Sequence, residues 1–314
     1  MAISIEIKCL SADKQCANAT SCASDSDCGM QDVLMKMKQQ ESTTYKQVDH
    51  IPPELVDTIE ATWRRDILEW MYGVVGFCKM PRESVATASY FIDVSVAKGL
   101  VRSRVDYQIC AMTALHLSLK LLDSSMMRLS SLIKLNRGLF NVKDVEEMER
   151  KMLIALNYYT HPPTSGCFLH SFLELLPRQT LPSTRSALEK ITLLLAEVAV
   201  CQDQFRRYRP STIAFAGMAV AMELFNDDEF PVWQRQHFLF KMATVAKMNS
   251  NATDFEEAIE DLQPYLTEHA KLRDLVLTIG SYNRHTKIDP SDYYVKTQAI
   301  QHSSASPRQS AIEL

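Results

Sequence analysis

Apolar residues recur along this chain at gaps of three and four rather than two. Between Pro53 and Pro81, Ile59, Trp63, Ile67, Trp70 and Val74 fall at gaps of 4, 4, 3 and 4, which is one face of a helix. The same period predicts four more helices: one opened by Pro81-Arg82-Glu83 and ended near Gly99, then about 104–122, 126–135 and 143–157. In the last, Val145, Met148, Met152 and Leu156 fall at gaps of 3, 4 and 4. After His161-Pro162-Pro163-Thr164 the pattern restarts, with helices expected at about 165–176, 183–205, 210–226, 230–247 and 252–276. Leu188, Ile191, Leu195 and Val198 form one stripe, and Ile213, Gly217, Val220 and Leu224 another. No strand-like alternation of useful length interrupts them.

The third helix of each group is crowded with small residues, Cys110, Ala111 and Ala114 in one and Ala214, Ala216, Gly217, Ala219 and Ala221 in the other. Small side chains let neighbours pack close on several sides, which suits a central buried helix. The expectation is an all-α chain built as a tandem five-helix repeat. The first unit covers residues 30–161, including an extra helix from Met30 to Tyr45 and a connector from Val48 to Pro53, and the second covers 162–280. Residues 1–29 and 281–314 lack periodicity and are expected to be flexible tails.

Composition removes several function classes. Eight glycines in 314 residues is roughly 2.5%, against about 7% on average, and none falls in a phosphate-cradling loop. Net charge is −4, which disfavours general nucleic-acid binding or an anionic membrane surface. Glu6 and Lys8 interrupt the stretch a signal peptide would need, and the longest apolar run, Thr212 to Met222, stops at Glu223. The expected location is cytoplasm or nucleus, with the eight cysteines reduced.

Catalytic and metal-binding sets are missing from the sequence. The eight histidines (50, 116, 161, 170, 237, 269, 285, 302) are scattered, and no G-x-S-x-G elbow occurs. Cys167 and His170 lie three apart without a second such pair. Cysteines 9, 16, 22 and 28 are separated by six, five and five residues, wider than structural zinc pairs. Fifteen methionines are ordinary core filler. No enzyme, cofactor or metal is expected, and function is assigned to surfaces.

Specific residues then resemble the cyclin family. Trp63-Arg64-Arg65-Asp66-Ile67-Leu68-Glu69-Trp70 is similar to the opening of a cyclin box, whose first helix carries an Arg and, six residues on, a Trp. Tyr90-Phe91-Ile92-Asp93 resembles the N-Y-[IL]-D segment of the second helix, and Leu119-Lys120-Leu121-Leu122-Asp123 stands where the family has its lysine. Glu147-Met148-Glu149 with Leu153, Leu156 and Asn157 resembles the fifth helix. In the second unit, Arg207-Tyr208-Arg209-Pro210-Ser211-Thr212-Ile213-Ala214 is similar to Y-R-P-S-x-[IL]-A. The resemblance spans about 30–270.

Taken alone, Arg64 and Asp93 could be surface charges. The resemblance implies a buried structural ion pair between the first two helices. Lys120, by itself, reads as a helix-end cation with its methylenes over leucines, and Glu149 as a solvated residue beside possible pairs Glu146–Arg150 and Glu147–Lys151. The resemblance implies instead that Lys120 and Glu149 grip the backbone of a regulatory helix of a cyclin-dependent kinase, with Leu117, Leu121 and Leu153 as apolar contacts. The implied partner is that kinase, in a heterodimer found in nucleus and cytoplasm. Its substrates or inhibitors would be further partners, and neither nucleic acid nor membrane is bound directly.

The family's substrate-docking groove is matched by Trp63, Ile67, Trp70 and Gln108. Asp66, however, replaces an aliphatic residue, and Gly73 stands where the family has an acid, so the pattern for basic-x-Leu substrates is incomplete. Residues 1–50 contain no Arg and therefore no R-x-x-L destruction box. The stretch from Asp32 to Tyr45 resembles the helix preceding the box in D-type cyclins, although no L-x-C-x-E motif is present. A G1-type or D-like cyclin acting at G1/S is expected. Ser306-Pro307 is the sole proline-directed phosphosite dipeptide. The alternatives are a cyclin-fold transcription-factor core resembling general factor IIB and a kinase-independent helical adaptor.

Overall fold

Two stretches of apolar helix, each too long to hide its own stripe, bury those stripes around two separate cores. The computed structural model describes residues 25–48, 61–122, 127–135, 139–250 and 252–268. Among them are α1 (Asp25–Thr43), α2 (Ala61–Phe77), α3 (Glu83–Ala97), α4 (Arg104–Leu122), α5 (Leu129–Leu135) and α6 (Val142–Ala155). The second group is α7 (Ser165–Leu173), α8 (Pro182–Cys201), α9 (Pro210–Met222), α10 (Val232–Thr244) and α11 (Thr253–Glu268). The described residues hold no strand, so the chain is all-α with tandem helical units. The expected tails lie outside the described residues, except that α1 begins at Asp25, five residues before Met30. Gly138 and most of the expected 48–53 connector also lie outside them.

The first core gathers Leu68, Met71 and Val75 of α2, Phe91 and Ile92 of α3, Cys110, Ala114 and Leu115 of α4, and Val145 and Met152 of α6. The second gathers Phe168 and Phe172 of α7, Leu188 and Leu195 of α8, Phe215 and Met218 of α9, Phe238 of α10 and Phe255 of α11. Phe215 stacks on Phe255 with ring centroids 4.2 Å apart. The two central helices are α4 and α9, as their small residues predict. A Cβ on Gly217 would meet Thr192 Cγ2 at 3.1 Å, so glycine sets how closely α9 approaches α8. Gly99 ends α3 at φ +70, with the Leu100 N–H donating to Ser95 O at 3.0 Å.

Several helices stop sooner than their periodicity suggests. The stretch expected as one helix over 183–205 breaks at Gln202, which turns extended (φ −96, ψ 129) before a 3-10 turn at Asp203–Arg207. Phe205 keeps the helical spacing in sequence, yet the break is what drops it into the second core. The helices expected to reach 176 and 226 end at Leu173 and Met222. Leu175, Leu176 and Phe225 continue the apolar pattern from tight turns instead.

α1 serves the second unit although it precedes the first. Leu34 lies in the second core. The buried Glu41 carboxylate accepts from Ser211 N–H at 3.1 Å and Ser211 Oγ at 2.5 Å, capping the positive end of α9. Lys38 Nζ donates to Ala246 O at 3.0 Å and Lys247 O at 2.9 Å, just past the carboxyl end of α10. Burial lowers the Lys38 ammonium from its ordinary range and raises the Glu41 carboxyl, opposed there by the two Ser211 bonds.

Candidate functional site

α4 and α6 run side by side, and their polar edges meet at one point on the surface. α6 starts from a capping box, with Asp144 N–H donating to Asn141 Oδ1 at 3.1 Å and Asn141 N–H to Asp144 Oδ2 at 2.9 Å. Val145, Met148 and Met152 face the core, which leaves Glu149 at the seam with α4. There Lys120 Nζ donates to Glu149 Oε1 at 2.7 Å. The lysine side chain is 49% exposed and the glutamate 16%. His116, one turn before Lys120, places Nδ1 3.8 Å from Glu149 Oε2, within electrostatic reach but beyond a hydrogen bond. His116 and then Lys120 hold the Glu149 carboxyl at about 2, against the upward push of burial.

Exposed apolar residues follow the pair on both helices. Leu121 and Leu122 are exposed at the end of α4, and Ile154 is exposed late in α6. Beyond α6 the backbone turns through two consecutive left-handed residues, Asn157 (φ 50) and Tyr158 (φ 61), with Tyr158 N–H donating to Leu153 O at 2.9 Å. Positive φ is costly for tyrosine, and the turn leaves that ring 68% exposed. Leu153 is half-buried against the first core. Leu117, expected among the contacts, is only 2% exposed and faces the core, so it supports the surface from beneath. Ile154, Tyr158 and His116 belong to this surface and carried no sequence signal beyond being apolar or titratable.

Arg64 and Asp93 form a different kind of pair. Arg64 Nε and Nη2 donate to the two Asp93 oxygens at 3.1 and 3.0 Å, Nη2 also to Ser89 Oγ at 2.9 Å, and Nη1 to Val200 O at 2.8 Å. Burial works against the Arg64 charge, and Asp93 more than offsets it, holding the guanidinium above its ordinary range. Val200 belongs to the last turn of α8, so this pair ties α2 and α3 to the second unit. Arg206 approaches Asp93 from that unit at 3.8 Å and donates to Val48 O at 3.0 Å. A cavity of about 110 Å³ at the junction is lined by Arg64, Asp93 and Arg206. Arg82 binds Glu197 across the same junction, its Nε donating to Oε1 at 2.5 Å.

Trp63, Ile67 and Trp70 lie half-buried along one face of α2. Trp63 meets Tyr107 at the start of α4, ring centroids 6.4 Å apart, and Gln108 is the next residue. The Arg104 guanidinium sits 5.5 Å over the Trp63 ring. Asp66 is exposed on the same helix beside Arg65, and among the described residues nothing lies within 4 Å of a Cβ placed on Gly73. Among the described residues no group of three or more His, Cys, Asp and Glu could hold a metal, and no helix is long and apolar enough to cross a membrane.

Comparison with known proteins matches the cyclin N-terminal domain over residues 32–161 and the cyclin C-terminal domain over 163–276. A G2/mitotic-specific cyclin-2 of Medicago sativa is 25% identical over 159 residues, covering 50% of this chain and 46% of that protein. A G2/mitotic-specific cyclin-2 of Medicago sativa subsp. varia is also 25% identical over 159 residues, covering 50% of this chain and 35% of the relative. The chain therefore matches less than half the length of these curated relatives. The crystal structure of a viral cyclin from herpesvirus saimiri superposes with a TM-score of 0.57 at 16% identity, covering 74% of this chain and 96% of that one. At that identity the likeness is one of fold.

Proposed function

The chain belongs to the cyclin family, and on that premise we propose that it is the regulatory subunit of a cyclin-dependent Ser/Thr kinase, acting in cell-cycle control at G1/S. One observation carries the reading. The Lys120–Glu149 pair is half exposed, and exposed apolar side chains follow it along both helices, Leu121 and Leu122 after Lys120 and Ile154 and Tyr158 after Glu149. An ammonium and a carboxylate held side by side can meet the orphan carbonyls and amides at a helix end, while those side chains bury apolar surface.

The mechanism is a population shift. A kinase of this class is active when its helix-C Glu pairs with its strand-β3 Lys and its activation loop stands aside. A rigid helical partner with higher affinity for that arrangement stabilises it and supplies no reacting atom. The mitotic name of the plant relatives stays with them; support for the G1/S assignment is the likeness of Asp32 to Tyr45, most of which lies in α1 (Asp25–Thr43), to the helix preceding the box in D-type cyclins. The test is the full chain carrying Lys120→Ala and Glu149→Ala. Co-purification with kinase should be lost while the helical circular-dichroism signal stays. Undiminished co-purification overturns the assignment, and binding without kinase activation turns the reading to an adaptor.

A further inference from the structure

His116 is buried on α4, and its Nδ1 has no hydrogen-bond partner among the described residues even though it faces Glu149 Oε2 at 3.8 Å. Buried ring nitrogens are ordinarily satisfied, so an unmet one beside a carboxylate calls for a use. The Glu149 carboxylate is divided between two neighbours. Oε1 accepts from Lys120, and Oε2 looks toward His116. Of the three, Lys120 is free to move: its side chain is half exposed on a flexible four-carbon stem. Glu149, largely buried, keeps no other side-chain hydrogen bond among the described residues once Lys120 swings outward to the carbonyl of an incoming helix end.

We propose that His116 is a positioning residue that takes up the Glu149 carboxylate as Lys120 turns to a partner. The inference rests on the reading of the Lys120–Glu149 pair as the kinase-binding grip. The neutral ring is enough: the Nδ1–H tautomer donates to Oε2 once the gap closes by roughly 1 Å, into the usual range of about 2.7–3.2 Å. The other oxygen then stays aimed at the amides of the partner. In the free chain the ring already faces the carboxylate at 3.8 Å while Lys120 bonds its other oxygen, so the grip is preformed without being locked.

The test uses the full chain with His116→Leu, which fills the space without a donor, and His116→Asn, which returns an N–H near the Nδ1 position. Affinity is measured against each cyclin-dependent kinase of the source organism, expressed singly. His116→Leu should weaken binding about tenfold, as expected for a hydrogen bond to a charged group, and His116→Asn should stay within about threefold of wild type. In carbon-13-labelled free chain, the Glu149 carboxyl should titrate near 2 in wild type and remain low in His116→Asn. In His116→Leu it should move upward. Wild-type affinity in His116→Leu overturns the proposal, and so does His116→Asn binding as weakly as His116→Leu, because the ring would then only fill space. If wild type binds none of the kinases, the kinase reading fails separately and the carboxyl titration decides alone. An unchanged Glu149 midpoint in His116→Leu then overturns the hold of His116 on the carboxylate.

Discussion

Arg64–Asp93 and Lys120–Glu149 are each a cation and a carboxylate 29 residues apart, joining neighbouring helices of the same unit. The likeness ends at solvent. The first pair is buried to 8% and 16% side-chain exposure, and the Arg64 guanidinium spends four hydrogen bonds on Asp93, Ser89 and Val200. In the second, Lys120 makes a single hydrogen bond among the described residues, to Glu149, and its side chain is half exposed. A saturated, buried pair has nothing left for a partner and fixes how helices and units sit. A half-exposed pair keeps donor capacity and gives up little when a partner takes it. Hydrogen-bond saturation, more than charge, separates architecture from recognition here.

Removing one member of the buried pair tests the contrast most strongly. Arg64→Ala leaves the largely buried Asp93 with only the more distant Arg206, at 3.8 Å, and should cost about 3–5 kcal/mol in urea unfolding. A loss below about 1 kcal/mol would erase the distinction, since that is the range of a surface pair. Arg82→Ala probes an intermediate pair, with side chains 35% and 20% exposed across the same junction. It should cost about 1.5–3 kcal/mol, the range of a charge-assisted hydrogen bond. A cost equal to that of Arg64→Ala would mean that spanning the two units, rather than burial, sets the size of the effect.

The repeat was legible because its cause is local. Stripes at gaps of three and four and two small-residue helices are properties of neighbouring residues, and α4 and α9 lie where those signals put them. The break at Gln202 was not legible, because Phe205 keeps the helical spacing and only the position of the second core pulls it aside. Arg64 and Asp93 could be picked out by resemblance, but the bond from Arg64 to Val200 could not, since it depends on how two units meet. At the candidate site, Leu117 and Leu121 look equivalent in sequence at one turn apart. The bundle tilts one into the core and leaves the other at the surface. Tyr158 owes its exposure to a left-handed turn that Asn157 is suited to begin but that nothing in a tyrosine announces at the second position. His116 was one scattered histidine until α6 brought Glu149 beside it.

Lys120→Ala gives the smallest expected effect and the sharpest one. As an exposed-side partner, Lys120 should contribute only about 0–1 kcal/mol to folding at neutral pH, although under the proposed function its loss weakens kinase binding. The sign of its pH dependence follows from Glu149, whose carboxyl is held at about 2 in the folded chain against an ordinary value of 4.5. A carboxyl lowered on folding binds more protons when unfolded, so its stabilisation is complete above the ordinary value and is lost as pH falls toward the folded one. The gap in stability between wild type and Lys120→Ala should therefore be widest above pH of about 5 and narrow as pH falls toward about 2. Urea melts of both proteins across that window measure it. A gap that stays constant would mean that Lys120 packs its methylenes without pairing, and that His116 alone holds Glu149.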